Sequence, residues 1–495
     1  MRSLVSVTTP SGPDAASDEA LLHKLGYRQE LARRMSGFSN FAISLSIICI
    51  LAGGITSFHV GLASAGGASI GLGWPLVCLF SLTVAVTMAQ IASAFPTAGG
   101  LYHWGSLLGG RFCGWATAWF NLAGLVTVLA AINAGTFDFA VATFGLPTGA
   151  NPALVKTLAV VGMTLLQALL NHYGIRLTTR LTDFSGWLIL VVAVVLAGAL
   201  LVATRHFEWA RLWTLTNLSG LPEGAPVFPR QDNLAWLFCL GFLFPAYTIT
   251  GFDASAHTSE ETVGAAHNVP RGIVRSVVVS SLFGWGMIVA LLLAMPDVRA
   301  GAEQGAAVVP WIMKMRLPSV LAWALLGAIV LSQFLCGLAA LTSVSRMTYA
   351  FARDGGLPGS DWLRAVNPHT QSPSVAVWTS AVISALLIVL LRYETIAAIG
   401  TVFLYISYVL PVAAGFLAYG SRWTRFGPWT LGWAYRPLAL VATSGCLFLL
   451  VIGVQPPNQQ AVPIVGGAIL LMLIVWFSVE RRRFRGPPAL TAKAA

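Results

Sequence analysis

Two strings in this sequence combine residues that interrupt helices with residues that bind polar solutes. The first, Ile50-Leu51-Ala52-Gly53-Gly54-Ile55-Thr56-Ser57, sets paired glycines and small hydroxyls inside an apolar stretch. The second, Pro245-Ala246-Tyr247-Thr248-Ile249-Thr250-Gly251-Phe252-Asp253, again places Gly and Thr deep in an apolar stretch and ends on a carboxylate. An interrupted apolar helix frees backbone groups that must then find partners, and a solute can supply them. Asp253 is ionisable at such a break, which makes it a functional candidate by default. Its structural alternative is an N-cap for the helix that follows. Each Gly pair also has a plain reading as close helix packing, but two breaks at matching positions are far less expected from packing alone.

Other chemistries are excluded by what the chain lacks. Its four lysines, Lys24, Lys156, Lys314 and Lys493, never follow a glycine, so there is no Walker A loop. No HExxH or GxSxG string occurs, and Glu260-Glu261 beside His257 lacks metal-ligand spacing. The six cysteines contain no CxxC pair and suggest neither a disulfide framework nor a zinc site. There is no filter loop or ring of charges of the kind a pore uses. An enzyme is therefore not expected, no cofactor or metal is implied, and a secondary transporter remains.

The elements that hold the two strings follow from composition. Of 495 residues, 56% are hydrophobic and only 9% charged, with a mean hydropathy of +0.76. A water-soluble domain is ruled out. Stretches free of Asp, Glu, Lys and Arg run over 35–110, 112–137, 157–175, 184–204, 233–252, 276–296, 317–345, 365–391, 395–421 and 437–479. A crossing takes about 20 apolar residues. The first and last stretches each hold two crossings, split at Gly66–Gly73 and at Pro456-Pro457-Asn458, which gives an all-α integral membrane protein of 12 transmembrane helices.

Basic residues stay with cytoplasmic loops. With an inside N-terminus, 21 of the 29 Lys and Arg face the cytoplasm, and Lys156, Arg205, Arg211, Arg230, Arg299, Lys314, Arg316 and Arg392 face out. Both termini are expected in the cytoplasm and the protein in the plasma membrane. The run Arg481, Arg482, Arg483, Arg485 reads as the stop signal of a last span rather than a nucleic-acid site. Residues 1–34 carry no apolar core of a signal peptide and read as a disordered leader with a short surface helix over Leu21–Leu31.

The breaks lie in spans one and six, five apart. Because five is odd, a second copy starting at span six begins from the opposite face, and the two repeats are inverted. The expected organisation is a cytoplasmic tail (1–34), a first five-helix repeat (35–204), an extracellular loop (205–232), a second five-helix repeat (233–421), helices 11 and 12 outside the repeats (422–480) and a cytoplasmic tail (481–495).

Three longer strings carry a family resemblance. Ala89-Gln90-Ile91-Ala92-Ser93-Ala94-Phe95-Pro96-Thr97-Ala98-Gly99-Gly100-Leu101-Tyr102-His103-Trp104 resembles the second-span signature of the amino acid/polyamine/organocation permeases. Ser345-Arg346-Met347-Thr348-Tyr349-Ala350-Phe351-Ala352-Arg353-Asp354-Gly355-Gly356-Leu357-Pro358 resembles the end of their eighth span, and Thr250 to Glu261, closing at Asn268-Val269-Pro270-Arg271, their sixth span and the loop after it. Ser36 to Ser39, His-Thr-Ser-Glu-Glu and Gly-Gly-Leu-Tyr-His-Trp are most similar to the branch with 4-aminobutyrate, amino acid and choline permeases.

The resemblance implies the inverted five-plus-five fold and alternating access, with substrate between spans one, three, six, eight and ten. Carried over, Ala52, Gly53, Gly54 and Ile55, with Thr56, offer amides to a carboxylate, and Thr248 to Gly251, Thr250 included, offer carbonyls to an ammonium. Phe252 or Tyr247 is the aromatic lid, Asn121 and Tyr405 are further contacts, and Asp253 senses substrate amine and pH. His59 and His172 read as packed histidines, and Asp138 as an interfacial one. Two departures matter: Gln90 stands where many relatives have Glu, and 184–204 lacks the lysine that replaces sodium in some proton-coupled relatives. Proton coupling through Asp253, sodium coupling and exchange therefore stay open. The expected function is secondary transport of an amino acid or related amine such as 4-aminobutyrate, a small molecule met in the lipid bilayer. The alternatives are a choline or polyamine permease, or a non-transporting sensor or subunit. Oligomeric state is not legible.

Overall fold

The computed structural model describes residues 13–391 and 393–491. The first twelve residues of the expected leader, Arg392, and the end of the C-terminal tail with Lys493 lie outside them. Among the described residues the chain is helical, with two isolated β-bridges, Met35 to Thr262 and Tyr419 to Trp423, and no strand. The main helices are α1 (Gly37–Ile48), α2 (Trp74–Ala94), α3 (Arg111–Phe144), α4 (Pro152–His172), α5 (Ile175–Ala203), α6 (Leu234–Thr248), α7 (Ala265–Ala294), α8 (Ser319–Arg353), α9 (Ser374–Leu390), α10 (Tyr393–Ala418), α11 (Tyr435–Gly453) and α12 (Ala461–Val475).

Among the described residues ten helices are long and apolar enough to cross a membrane, counting Gly37–Thr56 through its break; Leu234–Thr248 and Ser374–Leu390 are apolar but shorter. The first of these is cut short by the break that follows Thr248. Burial separates centre from rim: 78% of the Gly37–Thr56 window is buried, against 11% for Asn458–Arg483. Leu158, Leu282, Leu470 and Val202 stand exposed on outer faces. Large apolar side chains in such numbers on a surface are stable against hydrocarbon, not against water. The protein is a multi-pass membrane protein.

Both breaks have a local cause. α1 stops at Cys49, whose backbone turns to φ 28°, ψ 82°; short helices Gly53–Thr56 and Phe58–Ala65 then resume the path. α6 stops at Thr248, and the chain passes through Gly251 at φ +86° before the short helix Ala254–His257. A side chain at 251 would have its Cβ 2.2 Å from Ile47 Cγ2, so only glycine admits the end of α1 here. Gly53 meets Thr248 in the same way, and the two breaks therefore pack directly on one another.

Polar residues of α1, otherwise out of place in an apolar helix, stitch down the second half of the sixth segment. Ser44 donates to the Phe252 carbonyl (2.9 Å) and accepts from the Ser255 N–H (2.9 Å). The Asn40 amide donates to the Ser255 carbonyl (2.9 Å) and to the Thr262 hydroxyl (3.0 Å). Buried backbone groups freed by a break are costly unless paired, which explains these residues.

The N-terminal segment departs from the expected disordered leader. Residues 13–24 form a helix, and Leu22, Tyr27, Leu31 and Met35 are buried. Asp18 accepts the N–H groups of Gly264 (2.7 Å) and Ala265 (3.0 Å), capping α7, and Arg33 donates to the Thr262 carbonyl (2.5 Å). Composition suggested disorder because these residues are polar, but their partners are backbone groups more than 200 positions away. The C-terminal segment reaches the same end of the bundle, where Phe484 packs on Tyr102 and Phe351.

Candidate binding site at the two helix breaks

A cavity of about 680 Å³ opens beside the breaks. Ala52, Gly53 and Thr56 line it from the first break, and Tyr247, Thr250 and Gly251 from the second. α3 adds Leu125, Val128 and Ile132, α8 adds Gln333, and α10 adds Thr401 and Leu404. One end is lined by Pro222 and Ala225 to Phe228 of the 205–232 loop and by Pro457 and Asn458 between α11 and α12. Asn458 donates to the Tyr247 hydroxyl (2.6 Å), so a segment outside the expected repeats completes the wall. No Asp, Glu, Lys or Arg lines the cavity among the described residues.

Six of the twelve expected contact residues lie on this wall. Gly54, Ile55, Asn121, Thr248, Phe252 and Tyr405 lie behind it. The reason for the first two is helical rotation: Ala52, Gly53 and Thr56 share a face, whereas a Cβ on Gly54 would point to Met287 Cε at 3.5 Å. Thr248 is buried against Gly53. Phe252, 1% exposed, lies against Tyr408 with ring centroids 5.1 Å apart and ring planes tilted by 39°, and forms a floor behind the wall. Tyr405 is turned away, and Tyr408, three residues on and also behind the wall, bonds to Gly251 and Asp253.

The free backbone groups are equally specific. The N–H groups of Ala52 and Gly53 close on the Cys49 carbonyl (2.7 and 3.0 Å), whereas among the described residues no acceptor reaches those of Gly54 and Ile55. At the second break, no donor among the described residues reaches the carbonyls of Ile249 and Thr250. α8 satisfies two of the carbonyls freed in the first break: Gln333 donates to Leu51 (3.2 Å) and Cys336 to Ile47 (3.3 Å). Gln333 Oε1 and His59 Nδ1, both from residues on the wall, are buried without partners. His172, by contrast, is hydrogen-bonded as expected, accepting from Trp378 (3.3 Å), and Asp138 pairs with Lys156 (2.6 Å).

Asp253 is fully buried beneath the floor. It accepts from Tyr408 (2.8 Å) at Oδ1, and from Asn121 (3.1 Å) at Oδ2, which also faces His257 Nε2 (3.2 Å). It is therefore a networked buried group, and its own side chain caps no helix. Tyr408 and His257 were missed in the sequence. The signals were present: Asp253 and His257 are four apart, and Tyr408 follows Tyr405 by three, but neither spacing says which face looks inward.

Below this network the three signature strings meet. Glu260 forms a two-point ion pair with Arg353 (2.9 Å each) and accepts the Ala98 N–H (3.0 Å). Glu261 pairs with Arg346 (2.9 Å each), both fully buried. Asp354 accepts from Tyr27 (2.7 Å) and Tyr102 (2.9 Å) and faces His103 Nε2 at 3.1 Å. Burial alone would push Glu260 up, but the Arg353 guanidinium and the Ala98 N–H hold it below its usual range. Asp354 follows the same pattern: burial opposes, and His103, Arg353 and Tyr27 prevail to hold it low. Tyr27 is pushed up by burial and by the Asp354 charge. The end of the bundle away from the 205–232 loop is thus closed by ion pairs that tie three distant segments to the N-terminal one.

The family model for amino acid permeases matches residues 35–479. The chain is 33% identical to the amino-acid permease BAT1 of Arabidopsis thaliana, over 96% of this chain and 97% of that protein. It is 28% identical to the GABA-specific permease of Saccharomyces cerevisiae (96% and 86% covered) and 27% identical to the thiamine transporter thi9 of Schizosaccharomyces pombe (97% and 88%).

Proposed function

The chain belongs to the amino acid permease family, and on that premise we propose that this transporter carries a zwitterionic amino acid or a related amine such as 4-aminobutyrate, held between the two helix breaks. The observation that carries the reading is a cavity walled by both breaks with no charged side chain. Such a wall suits a solute whose own charges cancel, with its carboxylate turned to the first break and its ammonium to the second, where the Gly54 and Ile55 amides and the Ile249 and Thr250 carbonyls stay unpaired just behind Ala52, Gly53, Thr250 and Gly251. A polyamine or choline fits less well. It brings uncompensated positive charge to a wall without a carboxylate, and Phe252 and Tyr405, which could have formed an aromatic cage, lie behind the wall. The relatives include an amino-acid permease, a GABA-specific permease and a thiamine transporter, so the choice rests on the cavity.

In this reading residues 35–204 and 233–421 are inverted repeats that rock about the cavity, α11 and α12 stand outside them, and twelve crossings leave both termini in the cytoplasm of a plasma-membrane protein. The 205–232 loop is extracellular, so the cavity lies on the outer side of the bundle and the ion-paired end is a closed cytoplasmic gate. Coupling runs through protons at Asp253, with sodium and exchange as the alternatives. The test is purified protein in proteoliposomes, scanned for uptake and for thermal shift over the amino acids, 4-aminobutyrate, choline and spermidine. Uptake of one or more zwitterions, with choline and spermidine at background, is expected. Selective uptake of either cation would overturn the substrate assignment, and no uptake of any would favour a sensor or a subunit needing a partner.

A further inference from the structure

We propose that Asp253 and His257 share one exchangeable proton, and that this pair, joined to the cavity by the Tyr408 hydroxyl, is the site that carries the coupling ion. The proposal deepens the proton-coupled reading above and rests on it.

The argument is a count of protons. His257 Nδ1 lies 3.4 Å from the Ala98 carbonyl, and Nε2 lies 3.2 Å from Asp253 Oδ2. A carbonyl oxygen only accepts, so the first contact is favourable only with a hydrogen on Nδ1. The second needs a hydrogen on Nε2 or on Oδ2. Both contacts are satisfied either by imidazolium with carboxylate or by neutral imidazole with carboxylic acid, and these two states hold the same number of protons. Removing one proton leaves a single hydrogen for two contacts. A lone pair then faces an oxygen, in a place where both side chains are fully buried, and the pair carries net negative charge away from bulk solvent. The loaded pair is neutral overall, and the emptied pair is not.

The surroundings supply no competing charge. α10 contributes the Tyr408 phenol and α3 the uncharged Asn121 amide. The turn before Leu101 contributes the Ala98 carbonyl, and α1 the Ser44 hydroxyl, which is engaged with the Phe252 carbonyl. α8 brings Arg346 and Arg353, each closed on Glu261 or Glu260, and His103 is closed on Asp354 and Tyr27.

The link to the cavity is a single hydroxyl. Tyr408 donates to Asp253 Oδ1 (2.8 Å) and accepts the N–H of Gly251 (3.0 Å), which is on the cavity wall. A solute that moves the second break moves this acceptor contact, and with it the hydrogen bond that favours the carboxylate. In the other direction His257 rests on Ala98, whose N–H is held by Glu260 of the closed gate. The pair thus lies between the substrate and the gate. One proton binds it from the outer side and leaves to the inner side in each cycle, so each zwitterion moves with one positive charge.

The experiment uses full-length protein in proteoliposomes loaded with a pH-sensitive dye, supplied with a mixture of the twenty amino acids and 4-aminobutyrate. Wild type should acidify the lumen on substrate addition. His257→Asn should lose that signal at least tenfold and flatten the uptake profile between pH 5 and 8, while keeping counterflow within about threefold. Tyr408→Phe should weaken acidification without abolishing counterflow. Proton-driven uptake by His257→Asn with the wild-type pH profile would overturn the proposal. So would wild-type uptake that responds only to sodium, an outcome that leaves the substrate reading standing. Absence of any wild-type uptake would instead sink the substrate reading. A readout independent of transport is the spectrum of ¹⁵N-histidine-labelled protein, with His257 assigned by the signal lost in His257→Asn or, if that variant fails to fold, by the signal that shifts in Asp253→Asn. Nδ1 must be protonated at pH 7, and an Nε2–H tautomer with a bare Nδ1 would refute the shared proton.

Discussion

Gly53 and Gly54 are adjacent and identical in type, yet the structure gives opposite expectations for adding one methyl group to each. A Cβ on Gly53 would sit 2.8 Å from Thr248 Cα, 2.9 Å from its Oγ1 and 3.0 Å from its Cβ. The nearest of these is backbone and cannot rotate aside. Carbon atoms rest at about 3.5–4.0 Å, so the two breaks must separate by roughly 0.7 Å or more. Overpacking of this kind costs about 1–3 kcal/mol, which corresponds to about 5- to 150-fold in an equilibrium. Because the contact joins the two breaks proposed to hold the substrate, the loss should fall on substrate affinity and transport rate rather than on folding alone. A Cβ on Gly54 would meet nothing closer than Met287 Cε at 3.5 Å, an ordinary contact. Gly53→Ala should therefore lower initial uptake in proteoliposomes by about tenfold or more at subsaturating substrate, and Gly54→Ala should stay within about twofold, less than half a kcal/mol. Protein content and thermal unfolding are measured alongside to separate transport from folding. Equal uptake by the two variants, or a larger loss in Gly54→Ala, would refute the claim that these breaks work through their mutual contact.

Arg346→Met leaves Glu261 buried without its partner and should cost about 3–5 kcal/mol, read as a loss of the monodisperse peak after heating in detergent; Arg346→Met with Glu261→Gln should recover much of it. Asp354→Asn should lower thermal stability at pH 7. Since Asp354 is held below its usual range in the folded protein, its stabilisation is complete above the unfolded value near about 4 and fades as pH falls through the folded value. The gap between wild type and variant should accordingly be steady from pH 5 to 8 and shrink in stronger acid; a gap that widens in acid would contradict the assignment. Single cysteines between Leu215 and Pro229 should react with an impermeant thiol reagent added outside intact cells, and ones between Gly355 and Asn367 should not; the reverse pattern would invert the orientation.

The legible part of this protein is what depends on neighbours along the chain. Runs without charge located the apolar helices, because the cost of burying a charge in hydrocarbon is local to the helix that carries it. Gly251 and the Gly53-Gly54 pair marked the breaks, because tolerance of positive φ and close approach belongs to the residue type. The three signature strings gave the family. The polar N-terminal segment was misread because polarity normally signals solvent, whereas here Asp18 and Arg33 serve backbone groups near Thr262 to Ala265.

What only the tertiary structure decided is which atoms face the same space. Sequence placed Gly53 and Gly54 together, but the rotation of one short helix sends the first to Thr248 and the second to Met287. Tyr405 was the candidate read from sequence and Tyr408, three residues on, was missed, because only the packing of α10 against α3 and the sixth segment sets the Tyr408 hydroxyl between Gly251 and Asp253. Asn458, which sequence assigned to a loop outside the repeats, reaches Tyr247 across 211 positions. Helix formation is fixed by periods of a few residues and by the solvent, so one chain read in order suffices for it. Rotation, tilt and the meeting of distant segments are set by packing summed over the whole bundle, and no single stretch of sequence contains that sum.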